Sequence, residues 1–160
     1  MKDIKIEKNM KVLFICEGNM IRSQMAEALY NTLSGTDDAF SAGAIAALKD
    51  YIAEPAKIVM DEIAISTDGM RSDQLTEEMV ERADLIIYFP TPTMPSYVLD
   101  SPKAVLWDVI DPHHHQEQGI ELVRSVRDEI KDRVERLLLQ RKTSPLTFSN
   151  GSNDIDGFAR

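Results

Sequence analysis

The chain has 160 residues, of which 43% are hydrophobic and 28% charged, and a formal net charge of −9. That length suits one domain with a proper core, and the composition is that of an ordinary soluble globular protein. The acidic balance repels nucleic-acid phosphate, no apolar run approaches the roughly 20 residues of a membrane span, and the N-terminal MKDIKIEKNM lacks the centre and cleavage pattern of a signal peptide.

Lys11–Ile15 (KVLFI) is a short apolar run that reads as a buried strand and ends at Cys16. Met25, Ala26, Leu29 and Leu33 then recur at helical spacing until Ser34-Gly35 stops them. Ala39–Ala42 is a weaker strand candidate before Gly43. Glu54-Pro55-Ala56 reads as a helix entry, with Ala56, Val59, Met60 and Ile63 on one face. Thr76 followed by Glu77-Glu78 is a second entry, a cap with acids at the positive helix end. Leu85–Phe89 is the clearest strand, ended by Pro90. A proline-broken loop leads to the strand candidate Ala104–Trp107, and an amphipathic helix is expected from about Gln116 to Gln140. Strands alternating with helices predict an α/β fold with a parallel sheet covered on both faces. Residues 1–140 are expected to form the single domain, and 141–160 a polar, loosely ordered tail.

Cys16 is the chain's single cysteine, so an intramolecular disulfide and a cysteine-based zinc site are both excluded. It is either a buried small hydrophobe or a reactive thiol. Its surroundings favour the second. A strand-to-helix turn gathers backbone N–H groups and the positive end of a helix into an anion site. Gly18 and Asn19 are residues that tolerate unusual backbone geometry, Arg22 carries a fork of donors matched to phosphate oxygens, and Ser23 adds a hydroxyl in the first helical turn. In such a field a cysteine pKa falls from about 8.5 toward roughly 3.5–7.5. A thiolate and a bound oxyanion would then share one electropositive cup, as covalent catalysis requires.

The segment CEGNMIRSQMAEA (residues 16–28) resembles the signature loop of the low-molecular-weight protein tyrosine phosphatases, V-C-x-G-N-x-C-R-S-P-M-A-E. The RSQMAE continuation is also familiar in the related phosphatase-like arsenate reductases. Ser41-Ala42-Gly43, EPAKIVMDEIAIS (54–66), RSDQLTEEMVERADLII (71–87) and Trp107–Pro112 resemble further family elements, so the likeness spans roughly residues 11–140.

The resemblance implies a four-stranded parallel sheet in the order 2-1-3-4 with helices on both faces and a phosphate-binding loop after strand 1. It implies Cys16 as nucleophile, Arg22 as the phosphate and transition-state ligand, and Asp111 as general acid and base, with Asp108 the rival. The loop would comprise Glu17, Gly18, Asn19, Met20, Ile21, Arg22 and Ser23, supported by Asn19, Ser23 and Ser41. No metal or cofactor is expected, since guanidinium and helix end would neutralise the transferring group. The consecutive His113-His114-His115 points its side chains in different directions and reads as a solvated loop.

Two departures bear on activity. The aromatic residues that such phosphatases carry beside the pocket are replaced by His113-His114 and by residues near Ala47-Leu48, with Tyr51 close by, which weakens the expected phosphotyrosine clamp. Ile21 stands where the family has a second loop cysteine, and none follows Leu85–Phe89. A thioredoxin-coupled, three-cysteine arsenate reductase is thereby excluded.

Three functions are expected in order. The first is a phosphomonoester hydrolase of protein tyrosine phosphatase type, acting on a phosphorylated protein or small ester through a phosphocysteine. The second is a single-cysteine arsenate reductase relying on a low-molecular-weight thiol or a glutaredoxin-like partner. The third is a non-catalytic phosphate or phosphoprotein binder. Neither a nucleic acid nor a membrane is an expected partner, and the expected location is cytoplasmic.

Overall fold

Val12–Cys16 form β1, the second strand of a four-stranded parallel sheet in the order β2-β1-β3-β4. The structure, a computed structural model, describes residues 4, 6, 7 and 9–143, with side chains to residue 140; most of the tail expected after residue 140 lies outside them. The other strands are β2 (Ala39–Gly43), β3 (Leu85–Tyr88) and β4 (Ala104–Leu106). The helices are α1 (Arg22–Ser34), α2 (Glu54–Asp61), α3 (Glu77–Arg82), the single turn α4 (Ser96–Leu99) and α5 (Gly119–Thr143), the last preceded by a 3-10 helix over Pro112–Gln118.

Every residue of β1 is buried, because parallel strands linked by helical crossovers are covered on both faces. Val12, Phe14 and Cys16 face the core shared with Met25, Leu29, Val59, Met60, Val126 and Ile130 of α1, α2 and α5. Leu13 and Ile15 face the smaller core with Val80 of α3 and Val98 of α4. Burying each large side chain of this kind contributes roughly 1.5–3 kcal/mol. Phe14 and Phe89 both meet Trp107, at ring-centroid distances of 5.8 and 6.2 Å. That cluster anchors the chain as it leaves β4 toward Asp111.

Helix ends follow the sequence signals closely. Gly35 takes φ 70° and donates its N–H to Asn31 O, closing α1. The Thr76 hydroxyl accepts from Met79 N–H at the start of α3. Two boundaries differ from expectation. Gln116–Gln118 belong to the 3-10 helix, and Gly119 at φ 68° separates it from the long helix, which therefore begins later. The loop between β3 and β4 contains the turn α4, entered through Pro95 in extended conformation. Such a short turn leaves no periodic pattern to read.

Candidate active site

Cys16 is the last residue of β1, paired in register with Gly43 of β2, and Arg22 opens α1. Residues 17–21 form the loop between them. Neighbouring strands run from β1 in opposite lateral directions, to β2 on one side and β3 on the other, so the loop lies at the switch point of the sheet.

The loop's backbone is held from outside. The carbonyls of Cys16, Glu17, Gly18 and Met20 accept from the N–H groups of Ala44, Ile45, Ala47 and Ala53 at 2.9–3.1 Å. In a trans peptide the following N–H points opposite its carbonyl, so the N–H groups of residues 17, 18, 19 and 21 are turned away from that segment. Among the described residues, none of the N–H groups of residues 17–21 donates to another protein group, and no side chain caps α1 at Ile21. Inward amides at the positive end of a helix make an anion cup.

Asn19 is the residue bent into the left-handed region, at φ 58°, whereas Gly18 is outside it. Gly18 has room for a Cβ, whose nearest neighbour would be Met20 Cγ at 3.8 Å. The glycine that the loop needs is Gly43, which the sequence reading treated only as part of a serine-supporting motif. A Cβ there would lie 2.7 Å from Glu17 O and 2.9 Å from both Asn19 N and Gly18 C.

Asn19 is fully buried, and its side chain organises the site. Its Oδ1 accepts from Asp73 N–H at 2.8 Å, which fixes the orientation of the amide. The Nδ2 group donates to Ser23 Oγ at 2.7 Å and to Ser41 Oγ at 3.0 Å. Ser41 donates onward to Glu27 Oε1 at 2.6 Å, and Ser23 Oγ lies 3.0 Å from Cys16 Sγ. A thiolate at Cys16 can only accept, so in that state the Ser23 hydroxyl is the donor and stabilises it. Burial, opposed by the Ser41 bond, holds the Glu27 carboxyl above its ordinary pKa. Ser41 thus meets the loop only through Asn19. Gln24, Glu27 and Asp73 belong to the same network and were missed; only the packed fold shows that they converge.

Arg22 is buried to 1% exposure. One guanidinium nitrogen donates to Pro90 O and Val109 O, both at 3.1 Å, and the other lies 3.1 Å from Asp111 Oδ2. Phe89 lies beneath it at 5.6 Å. These partners offset the cost of burying the charge. Asp111 caps the 3-10 helix by accepting from His113 N–H, and it lines the cavity with Cys16 and Arg22. Asp108, its rival in the sequence, is exposed and is not part of the lining.

His113 and His114 are exposed, as a solvated run would be, but they lie in the 3-10 turn after Asp111, which kinks at His115; the turn brings His113 to the cavity and His114 Nε2 to 2.8 Å from Glu17 Oε1. That hydrogen bond, reinforced by the charge of Asp111, raises the His114 pKa. It is also the largest influence lowering that of Glu17. Glu17, Asp111 and His114 bring ligand-type atoms within 4.8 Å of one another, but these atoms are engaged with one another and with Thr91 and Arg22.

The cavity has a volume of about 480 Å³, and Cys16 is among the residues that line it. Ile45, Ala47 and Lys49 of the loop after β2 form one wall. Tyr51 is 59% exposed and is not among the lining residues, so the aromatic clamp is absent there.

A buried thiol at the C-terminal end of a central parallel strand, under an amide cup and beside an arginine–aspartate pair, defines an α/β protein of the cysteine phosphatase class. The chain belongs to the low-molecular-weight phosphotyrosine protein phosphatase family, whose sequence model matches residues 11–93. It is 29% identical over 136 residues to the glutaredoxin arsenate reductase of Synechocystis sp., covering 80% of this chain and 95% of the relative. It is 30% identical over 141 residues to a protein of Ralstonia nicotianae named "Probable low molecular weight protein-tyrosine-phosphatase EpsP", covering 79% and 97%. Among solved structures, the YwlE arginine phosphatase from Geobacillus stearothermophilus superposes with a TM-score of 0.75 at 28% identity, covering 89% of this chain and 99% of that one. Among the described residues, no helix is long and apolar enough to cross a membrane.

Proposed function

We propose that the chain hydrolyses phosphomonoesters through a phosphocysteine. The Cys16 thiolate attacks phosphorus while the loop N–H groups and Arg22 bind the equatorial oxygens. The bond to the leaving oxygen breaks, and Asp111 protonates that oxygen. Asp111, now a carboxylate, takes a proton from water as the water attacks the thiophosphate; phosphate leaves and the thiolate returns. The observation that carries this reading is the coincidence, in one cavity, of the Ser23-bonded Cys16 thiol, the inward amides and the Arg22–Asp111 pair. No step requires a metal.

The test is hydrolysis of p-nitrophenyl phosphate with chelator present. Wild type is expected to turn over, Cys16→Ser to be inactive, and Asp111→Asn to lose roughly 10²–10⁴-fold in kcat while binding phosphate as before. A folded, reduced wild type without turnover overturns the reading.

Arsenate reduction is the second reading, supported by the similarity to a glutaredoxin arsenate reductase and by the lone cysteine. Cys16 would displace hydroxide from arsenate to form an S–As(V) bond. Two external thiols would then supply two electrons, becoming a disulfide as arsenite leaves. Arsenate-dependent oxidation of added glutathione, alone or through a glutaredoxin-like partner, distinguishes it from hydrolysis.

A further inference from the structure

We infer that His114 is a positioning residue: bridging Glu17 on one side and Asp111 on the other, it holds the Asp111 segment against the mouth of the Cys16 cavity. The inference rests on the reading of Asp111 as general acid. Its geometry is independent of that reading.

Three segments meet at this histidine. Glu17 belongs to the loop after β1, and its second oxygen, Oε2, accepts from Thr91 Oγ1 at 3.0 Å, in the loop after β3. Thr91 is itself bonded to Thr93 Oγ1 at 2.9 Å. Glu17 is therefore a fixed post rather than a loose carboxylate. His114 Nε2 lies 2.8 Å from Glu17 Oε1 and 3.6 Å from Asp111 Oδ2. The third segment, Pro112–Gln118, is thereby tied back onto the loop that follows Cys16.

Arg22 makes the other ion pair with Asp111, 3.1 Å from the same oxygen. An oxyanion entering the cup competes for that guanidinium. As Arg22 turns to the oxyanion, His114 remains beside Asp111 and keeps the carboxyl at the cavity. His114 is not itself a lining residue; it meets the cavity through Glu17 and Asp111, and of these Asp111 is the group with a proton to give.

The clasp has a definite pH sense. The groups facing the imidazole are Glu17 and Asp111, which favour its charge, and Arg22, which opposes it; the His113 ring lies edge-on at 5.2 Å. The pKa of His114 is raised above its ordinary 6.5, so the ionic part of the tie is fully present below 6.5 and is lost as pH rises through the folded-state pKa, leaving a neutral Nε2–H that still donates to Glu17.

The experiment compares phenyl phosphate, whose leaving group needs a proton, with p-nitrophenyl phosphate, whose leaving group needs it far less. His114→Gln is expected to lower kcat/KM on phenyl phosphate about fivefold at pH 5.5 and to change the activated ester little. The loss should shrink toward pH 8, and it should vanish in an Asp111→Asn background. Equal losses on both esters at every pH, or an undiminished loss in Asp111→Asn, would mean a structural role or a direct substrate contact and overturn the inference. If wild type hydrolyses neither ester, the phosphatase reading fails by itself. The bridge is then judged by NMR titration of the His114 ring, whose pKa must fall in both Glu17→Gln and Asp111→Asn; no fall in either variant overturns it.

Discussion

Asn19 concentrates the chemistry of the site in one side chain. Its backbone sits at φ 58°, a conformation that asparagine adopts more readily than most residues and alanine avoids at a cost of about 1–2 kcal/mol. Its amide satisfies a partly buried backbone N–H on one side and two serine hydroxyls on the other. Removing it leaves Asp73 N–H without that acceptor and frees Ser23 to rotate away from the thiol. Asn19→Ala is expected to destabilise the fold by about 2–4 kcal/mol in urea titration, combining the strained backbone with an unsatisfied, partly buried donor. It should also slow alkylation of Cys16 at neutral pH, because the bond that favours the thiolate is no longer directed. Fast alkylation in a destabilised variant would show that Ser23 is oriented by something else.

Elements meet closely where β2 passes the loop of residues 17–21. β2 and the residues after it bind the loop carbonyls in succession, so the loop is shaped by its neighbour as much as by its own sequence. Gly43 is the point of closest approach. Gly43→Ala places a methyl group within 3 Å of three backbone atoms of the loop, none of which can turn aside like a side chain. The expected cost is about 1–3 kcal/mol, with phosphate affinity falling by more than tenfold as the amides lose their convergence. Gly18→Ala, by contrast, meets only ordinary contacts and should change phosphate affinity less than threefold on the ~0.5 kcal/mol scale of mild substitutions. Calorimetric titration of inorganic phosphate into both variants separates the two glycines. The opposite ranking would contradict the loop geometry.

Across the whole molecule, α5 is fastened to α2 by charge as well as by apolar packing. Arg127, 7% exposed, donates to Val59 O at 2.9 Å and to Glu62 Oε1 at 2.6 Å, while Arg124 grips both Glu62 oxygens. The Arg124 hydrogen bond is the first cause holding the Glu62 carboxyl down at about 2, against an ordinary 4.5. A depressed carboxylate pKa contributes stability that is present above 4.5 and is lost as pH falls toward 2. Wild type should therefore lose melting temperature across that window, and Glu62→Gln should lose less. Parallel thermal scans from pH 5 to pH 2.5 check this; identical slopes would mean that solvent screens the pair completely.

By itself, the sequence determined the strand–helix alternation, the strand order expected from the family likeness, and the alignment of Cys16, Arg22 and Asp111 with the family's motifs. These follow from short-range patterns: apolar periodicity, caps and a contiguous loop signature. The contact of His114 with Glu17 was not legible, because the two lie 97 positions apart and only the 3-10 turn after Asp111 brings them together. The requirement for Gly43 was hidden for a related reason, since a glycine without positive φ is explained only by what lies against it. The Asp-Pro match favoured Asp111 over Asp108, and the fold leaves Asp108 exposed while it places Asp111 beside Arg22. Local patterns name the reacting groups. The contacts that orient them join β1, β2, β3 and the segment before α5, and these meet only when the sheet closes its two cores.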